Sequence, residues 1–401
     1  MTVDLVSLGE ICKEIYRYPT YYGIEYLNNG VPEVRGELIT EDGTIDLDRQ
    51  KWRFISETTS SKFPRTNLEE GDLIMSVRGT IGKVGIVPHE LHGGNITANL
   101  IRISPNKQRV YERYLWMYMR SPEFLNSLDN ESSSTTIKTI KAPNLKALLI
   151  PLPSLEKQKR IADILDRAEA LRAKRRAALA QLDEITEAIF IEMFGDPVTN
   201  PKEWKKVGMP EVVVGKYGIK AGPFGSSLKK EEYTTSGYRI YGQEQVIAGR
   251  FDIGDYYISE RKYQQLKACA VNEGDLLVSL VGSFGKVLVV PPGIEPGIIN
   301  PRLLKITPNK NLLTSDFLTA LLSLPAIQAE FERMAHGGTM GILNAGLLKQ
   351  LQVILPPLDL QREFSHHVKA IENYKSAYEA SLAELDELFF SLQYRAFRGE
   401  L

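Results

Sequence analysis

Cysteine is nearly absent from this 401-residue sequence, in which Cys12 and Cys269 are the only two. So few thiols in so long a chain give no disulfide framework and no cysteine-ligated zinc site, and they are typical of a reducing cytoplasm. Long hydrophobic runs are also missing, because no stretch of about 18 apolar residues occurs. The first residues lack the basic segment and apolar core of a signal peptide. We therefore expect a cytoplasmic protein without a membrane span.

An excess of charge of either sign is missing as well. The sequence has 49 basic and 50 acidic residues, a net charge of −1. This balance argues against a protein that binds polyanions by bulk charge alone. Residues 201–353 carry 18 basic and 14 acidic residues, a net charge of +4. Any nucleic acid would therefore bind a local basic face, chiefly in that segment.

Phosphate-loop motifs are imitated but not present. The sequences GTIGK (79–83) and GSFGK (282–286) lack the glycine five positions before the Gly-Lys pair. Val84 and Val287 stand where a phosphate loop has its magnesium-binding Ser or Thr. Both sequences are typical of tight turns between strands.

Other catalytic or metal-binding patterns are equally incomplete. The run NPR (300–302) lacks the second proline and the aromatic residue of the adenine methyltransferase signature. The pair His366 and His367 has no cysteine or carboxylate partner at ligand spacing. We therefore expect no catalytic residue, no metal site and no bound cofactor in this chain.

An internal duplication is the dominant positive feature. A proline-led segment with the pattern of a long helix begins at Pro151 and ends at Gly195, and it recurs at a constant offset of 203 residues. The matching residues are Pro153, Leu155, Gln158, Ala180, Leu182, Asp183, Glu184 and Phe194 with Pro356, Leu358, Gln361, Ala383, Leu385, Asp386, Glu387 and Phe397. Residues 71–88 match 274–291 at 10 of 18 positions at the same offset. A constant offset over such lengths indicates a repeated structural unit.

The repeat predicts an α+β fold with two similar mixed α/β domains and two long helices. We expect domains at 1–150 and 198–353, with spacer helices at 151–197 and 354–401. Apolar residues recur in threes and fours along both helices, which is typical of a coiled-coil seam that Arg175 interrupts. The predicted seam residues are Ile164, Leu171, Leu182, Ile185, Ile189, Ile371, Tyr374, Tyr378, Leu385, Leu388 and Leu392. An approximate two-fold axis would make the helices antiparallel and join them within one chain.

Polar and basic residues in the loops of both repeats are candidates for DNA recognition. Lys and Arg neutralise phosphates, while Arg, Asn and Gln can also hydrogen-bond base edges. Lys83 and Lys286 occupy the same turn of the two repeats, so phosphate contact is their expected role. The first-repeat candidates are Arg35, Lys62, Arg65, Arg78, Lys83, Asn99 and Lys138. The second-repeat candidates are Lys220, Ser226, Ser227, Lys229, Lys230, Arg239, Tyr241, Gln243, Lys262, Lys286 and Arg302.

Taken together, these motifs resemble the specificity subunit of type I restriction–modification systems. The resemblance rests on PLPSLEKQKRIADIL with its helix to EMFGDP, on the echo PPLDLQREF, and on the pair GDLIMSVRGTIGK and GDLLVSLVGSFGK. It implies two target recognition domains that each read half of a bipartite double-stranded DNA site. It also implies an antiparallel coiled coil that sets the spacer and docks two methyltransferase subunits, which restriction motor subunits join. S-adenosylmethionine and ATP would bind those partners, and this chain would be non-catalytic.

Two other interpretations stay open at this stage. The chain could be the specificity subunit of another DNA methylation or defence system, which the neighbouring genes would distinguish. It could also be a structural adaptor whose repeats bind protein, and salt-dependent, sequence-selective DNA binding would distinguish that.

Overall fold

The structure is a computed structural model that describes residues 3–17, 24–131, 139–281, 285–336 and 344–401. Of the predicted site residues, Lys138 lies outside these ranges. The chain forms two compact units, one of Met1–Arg175 with Ser381–Leu401 and one of Arg176–Ala380. Both units mix strands and helices, as the sequence predicts.

The first unit contains three small sheets. Its strands are β1 (Leu5–Ser7), β2 (Cys12–Arg17), β3 (Val31–Val34), β4 (Arg53–Ile55), β5 (Leu73–Ser76), β6 (Val84–Ile86), β7 (Asn95–Ile96), β8 (Leu100–Pro105) and β9 (Leu149–Pro151). Its helices are α1 (Leu8–Ile11), α2 (Glu57–Ser61), α3 (Glu112–Met119), α4 (Pro122–Asn130) and α5 (Ala142–Ala147). The largest sheet is antiparallel, in the order β2-β8-β5-β6. A second sheet has the order β4-β3-β7, with β3 and β7 parallel, and β1 pairs with β9.

The second unit has the same arrangement with one added strand. Its strands are β10 (Lys206–Gly208), β11 (Ile219–Ala221), β12 (Tyr233–Thr234), β13 (Tyr238–Tyr241), β14 (Tyr257–Ile258), β15 (Leu276–Ser279), β16 (Val287–Val289), β17 (Gly297–Ile299), β18 (Leu303–Ile306) and β19 (Gln352–Ile354). Its shorter helices are α7 (Gln243–Ala248), α8 (Glu260–Gln265), α9 (Ser315–Ser323), α10 (Pro325–His336) and α11 (Ala345–Leu348). The sheets have the orders β11-β18-β15-β16, β12-β14-β13-β17 and β10-β19.

Two helices of 40 residues cross the division between the units. The first spans Leu155–Phe194 and lies between α5 and α7 in the chain, and the second spans Leu358–Phe397. We call them the first and second long helices. The first begins four residues after Pro151 and is followed by Gly195, whose φ of +76° favours glycine. These extents confirm the predicted helices at both ends.

In each unit the start of one long helix packs near the end of the other. In the first unit, Phe397 packs on the rings of Tyr114 and Tyr118 of α3, in the same core as Ile161. In the second unit, Phe194 packs on Phe317 of α9 and on Phe364, with ring centroids 4.8 and 5.5 Å apart. These aromatic clusters anchor the helix ends to the α/β domains.

A buried glutamine holds the first turn of each long helix. Gln158 accepts a hydrogen bond from the Tyr111 amide (2.7 Å) and donates to the carbonyls of Arg109 and Pro153. Gln361 repeats this pattern 203 residues later with the Thr314 amide (3.0 Å) and the carbonyls of Leu312 and Pro356. Both side chains are fully buried, so the contacts replace the water that these backbone groups have lost.

The buried face of the long helices differs from the predicted seam. Leu171, Ile185, Tyr374 and Leu388 were predicted to be packed, but they are 52%, 45%, 62% and 49% exposed. The more buried series runs one residue later and contains Arg172, Arg175 and Lys375. The apolar pattern therefore predicted a neighbouring face, because charged residues occupy part of the true one. Of the other predicted residues, Ile371 is buried, and Ile164, Leu182, Ile189, Tyr378, Leu385 and Leu392 are half-buried.

Ion pairs within each unit occupy these charged positions. In the first unit, Arg172 pairs with Asp386 (Nε–Oδ1, 2.6 Å) and stacks over the Phe389 ring at 4.4 Å. In the second unit, Lys375 pairs with Asp183. Arg172 and Lys375 are 203 residues apart, as are Asp183 and Asp386. The same contact thus joins the two long helices once in each unit.

Candidate nucleic-acid interface

A tight turn presents Lys83 at the edge of the large sheet of the first unit. The turn joins β5 to β6, and the positive φ angles of Gly79 (+80°) and Gly82 (+86°) explain its glycines. Ser76 organises it, because its hydroxyl accepts a hydrogen bond from the Lys83 amide (3.0 Å) and donates to the Thr80 carbonyl. The Lys83 side chain is exposed. This turn is not a phosphate loop, but it holds a cation at the surface.

The second unit anchors Lys286 in the same way. The Ser279 hydroxyl accepts a hydrogen bond from the Lys286 amide (3.1 Å), and the Ser279 carbonyl accepts one from Gly285 (2.9 Å). Residues 282–284 of this turn lie outside the described part of the chain. Lys286 is exposed like Lys83, so both units present a lysine at the same place on the same scaffold.

A cleft beside the Lys83 turn brings together four of the predicted residues. Arg35, Arg78, Lys83 and Asn99 all line it, and its volume is about 480 Å³. Arg35 follows β3, Arg78 and Lys83 belong to the β5–β6 turn, and Asn99 precedes β8. Cations and an amide that are distant in the sequence thus meet at one surface. Such a set can neutralise phosphates and hydrogen-bond base edges.

Three cleft residues were not among the predicted ones. Glu33, Tyr26 and Arg53 also line the cleft, and the Arg53 guanidinium lies 5.1 Å from the Tyr26 ring centroid. The prediction considered mainly cations and amides, so it passed over an acidic residue. The signal was present, because Glu33 stands two residues before Arg35 in an extended segment and so shares its face.

Glu33 is the most enclosed of these groups. It is 2% exposed, and its Oε2 atom has no hydrogen-bond partner. Burial raises the pKa of the Glu33 carboxyl above its ordinary value, while Tyr26, Arg53 and Arg35 oppose the shift. Arg35 donates to the Lys51 carbonyl (2.8 Å) and pairs with Glu37 (2.9 Å), and its Nε atom is buried without a partner. The cleft thus contains buried polar atoms that the protein itself does not satisfy.

Two other first-unit candidates lie away from this cleft. Arg65 forms two hydrogen bonds to the Glu14 carboxylate and lies over the Tyr16 ring at 3.9 Å. The Arg65 guanidinium holds the pKa of the Glu14 carboxyl below its usual range. Arg65 therefore has a structural role in joining its segment to β2. Lys62 is exposed at the end of α2.

In the second unit, Arg239 and Tyr241 are buried, which contradicts their predicted DNA contact. Arg239 pairs with Glu295 (2.8 Å) and donates to the carbonyls of Ile253 and Gly254. Tyr241 is 0% exposed, and its hydroxyl donates to the Glu295 carbonyl (2.7 Å). Both belong to β13, whose side chains pack between sheet and loop instead of facing solvent. Their residue types suit base recognition, but their positions in the strand remove them from the surface.

The remaining second-unit candidates divide by exposure. Lys262 is largely enclosed and pairs with Glu232 (2.7 Å), which makes it a structural residue. Lys220 and Gln243 are half-buried, and the Gln243 Oε1 atom is buried without a partner. The exposed candidates are Ser226, Ser227, Lys229, Lys230, Lys286 and Arg302.

Gly222 brings the serine-containing loop close to Arg302. A Cβ atom at Gly222 would lie 1.9 Å from the Asn300 carbonyl oxygen, so only glycine fits. The loop of Ser226 and Ser227 therefore starts against the segment that carries Asn300 and Arg302. Arg302 stands 203 residues after Asn99, and the carbonyls of both accept a hydrogen bond from the residue after β15 or β5. The two units thus place different polar side chains at equivalent backbone positions.

The described residues offer no alternative chemistry. They contain no cluster of three or more His, Cys, Asp or Glu side chains that could hold a metal ion. Burial raises the pKa of the Cys12 thiol to about 12, which suppresses the reactive thiolate. Across the same ranges, none of the helices is long and apolar enough to cross a membrane.

Comparison with known proteins identifies the repeated unit. The family model of the type I restriction modification DNA specificity domain matches twice, at residues 2–181 and 201–386. The EcoBI specificity subunit of Escherichia coli, a type I restriction enzyme subunit, is 26% identical over 76% of this chain and 69% of its own length. The MjaVIII specificity subunit of Methanocaldococcus jannaschii is 22% identical over 80% of this chain and 78% of its own.

Solved structures agree at the level of the fold. A chain solved in work on complex assembly and conformational transition of the type I R-M system covers 100% of this chain and 98% of its own, with a TM-score of 0.59 and 19% identity. The type I restriction-modification S subunit from M. genitalium covers 98% and 96%, with a TM-score of 0.55 and 15% identity. With its two matched domains, this chain belongs to the family of type I restriction–modification DNA specificity subunits.

Proposed function

We propose that this chain is the non-catalytic subunit that gives a type I restriction–modification complex its DNA sequence specificity. Each recognition domain would read one half of a bipartite site. The observation that carries this proposal is the matched lysine turn, held by Ser76 in one unit and Ser279 in the other. An identical phosphate-facing anchor next to different polar residues is what two readers of different sequences require.

The same reasoning assigns the remaining candidates. In the first domain, Arg35, Arg78 and Asn99 would contact the base edges or backbone beside Lys83, because they share its cleft. In the second domain, the corresponding surface would consist of the serine loop, Gln243 and Arg302. Arg and Gln are the side chains best suited to guanine and adenine in the major groove.

The long helices would set the distance between the half-sites. We propose that they form an antiparallel coiled coil within the chain, with an approximate two-fold axis between the repeats. The Arg172–Asp386 and Asp183–Lys375 contacts support this, because the residue numbers of each pair add up to the same value. A constant sum is the signature of two antiparallel helices in one register. The boundaries 1–150, 151–197, 198–353 and 354–401 are part of this proposal.

The partners follow from the family. We propose that two methyltransferase subunits dock on this chain, that restriction motor subunits join them, and that the assembly acts in the cytoplasm. S-adenosylmethionine and ATP would bind the partners. This chain would supply only the position at which an adenine is flipped from the duplex and methylated.

Mapping of methylated adenines tests the proposal most directly. The chain is co-expressed with its methyltransferase subunit, and methylated adenines are located across the host genome. We expect one bipartite sequence with two defined halves and a spacer of constant length. Methylation without sequence preference, or at a single undivided site, would contradict the proposal. A host that expresses the methyltransferase alone is the control, and it should show no methylation at that sequence.

A further inference from the structure

The enclosed carboxylate of Glu33 is unusual for a surface that faces a polyanion. Glu33 lies on β3, opposite Asn95 of the parallel strand β7, and lines the cleft next to Arg35, Arg78 and Lys83. An acidic group repels phosphate, so phosphate attraction alone does not explain it. Surface lysines and arginines would be sufficient for that purpose.

The unsatisfied Oε2 atom indicates that a donor is missing. Buried polar atoms nearly always have a hydrogen-bond partner, and exceptions need a specific reason. The structural ion pairs elsewhere in this unit show what a satisfied acid looks like: Asp72 receives a hydrogen bond from Arg102 at 2.6 Å. Glu33 has Arg35 and Arg53 nearby, yet Oε2 has no hydrogen-bond partner.

Chemical complementarity limits what the missing donor can be. A carboxylate oxygen repels phosphate oxygens, guanine N7 and O6, and thymine O4, which are all acceptors. The groups of DNA that it accepts from are the exocyclic amines, cytosine N4 and adenine N6 in the major groove. Glutamate and aspartate suit cytosine N4 in particular.

We propose that Glu33 is a specificity-determining residue of the first recognition domain, which accepts a hydrogen bond from the exocyclic amine of one base in its half-site, cytosine N4 in the first instance. This rests on the function proposed above. Lys83 and Arg78 hold the backbone of the DNA, and Glu33 selects the base that the cleft receives.

The second unit has an unsatisfied polar atom at the equivalent strand end. The strand β13 corresponds to β3, and each ends beside a parallel strand, β17 or β7. Gln243 follows β13 by two residues, and its Oε1 atom is buried without a partner. The strand end that carries Glu33 therefore carries a hydrogen-bonding side chain with unused capacity in both domains, with different chemistry in each.

Removal of single amines from the DNA tests the role of Glu33. The purified complex of this chain with its methyltransferase subunit is bound to duplexes that carry the mapped site. At each position of both half-sites, cytosine is replaced by 2-pyrimidinone or adenine by purine, which removes the exocyclic amine. For the unaltered protein, we expect removal at one position of one half-site to weaken binding by roughly tenfold. For Glu33→Gln, we expect removal at that position to have a smaller effect, and we expect the methylated sequence to relax there.

The control and the second variant keep the outcome decisive. Glu57→Gln, at an exposed glutamate of the same unit, should respond to each amine as the unaltered protein does. Glu33→Asp keeps the charge but shortens the reach, and it should lose affinity at the same position only. If amine removal has no effect at any position, or has equal effects in the unaltered protein and in both Glu33 variants, the role of Glu33 is wrong. If the unaltered complex has no sequence preference, the proposed function itself fails.

Discussion

Single side chains decide which basic residues can meet DNA. Lys83 and Arg239 are both basic residues in repeated scaffolds, yet Lys83 is exposed on a turn and Arg239 is 9% exposed beside Glu295. A guanidinium that donates to a carboxylate and two carbonyls has few donors left for phosphate. The residue type therefore indicates what a side chain could do, and its partners decide whether it is available.

The two turn lysines give a prediction about salt dependence. Lys83→Ala and Lys286→Ala should each weaken DNA binding by the complex about equally for specific and unrelated sequences. Each should also reduce the slope of log affinity against log salt concentration by about 1, because one phosphate contact is lost. Fluorescence anisotropy between low and moderate salt measures both quantities. Lys159→Ala, at an exposed lysine of the first long helix, is the matched control. An unchanged slope together with an altered sequence preference would assign these lysines to base reading instead.

At the scale of the element, the long helices carry a charge pair where a coiled coil usually has apolar residues. Arg172 is enclosed between Asp386, Glu169 and the Phe389 ring. A partly buried pair stabilises only if its geometry offsets the loss of hydration. Its clearer role is in register, because a shift by one turn would separate the arginine from its acid.

A double-mutant cycle measures that contact. Arg172→Met and Asp386→Asn should each lower the free energy of unfolding, and together they should cost less than the sum by about 1 kcal/mol. Chemical or thermal unfolding of the full chain gives the three differences. The exposed pair Arg167 and Asp163 on the same helix is the control, with an expected coupling near about 0.3 kcal/mol. Strict additivity for Arg172 and Asp386 would show that the pair contributes nothing to the helix contact.

Helix length gives a second prediction at this scale. Insertion of four residues between Arg167 and Ile185, matched by four at the equivalent place in the second long helix, adds about 6 Å. The accepted spacer should lengthen by about one to two base pairs, since a turn of DNA covers 34–36 Å in 10–10.5 base pairs. The map of methylated adenines measures the spacer. Both half-sequences should stay the same, which serves as the internal control. An unchanged spacer would contradict the role of the helices as its determinant.

At the scale of the whole molecule, the chain consists of one scaffold used twice. Both units have the same sheet orders, apart from the added strand β12, and both hold a long helix with a buried glutamine. The larger differences lie in the loops around β3 and β13. A duplicated scaffold with divergent loops can change one recognised sequence without altering the other.

Domain exchange tests this independence. Replacement of residues 198–353 by the corresponding domain of a relative with another target should change one half-site completely. The other half-site and the spacer should stay as in the unaltered protein, because their determinants are untouched. Methylated-adenine mapping of both proteins side by side gives the result. A change in both halves, or in neither, would contradict two separate reading modules.

The sequence by itself determined the repeat, the extents of the long helices and the turns of Lys83 and Lys286. These features depend on patterns within short segments: prolines before a helix, a glycine after it, and glycines in a turn between strands. Matching at a constant offset also needs no knowledge of the folded state. The family follows from the same patterns, which the two matched domains confirm.

Only the tertiary structure decided which side chains face the DNA-binding cleft and which face of each long helix is buried. Arg239 is enclosed by Glu295, 56 residues away, and Arg172 by Asp386, 214 residues away. No local pattern contains such partners, so Tyr241 was predicted at the surface and Leu171 in the seam. The cleft itself joins Glu33 and Arg35 to Asn99 and Lys83 through strand pairing. Burial depends on every segment that packs against a residue, and that information exists only once the chain is folded.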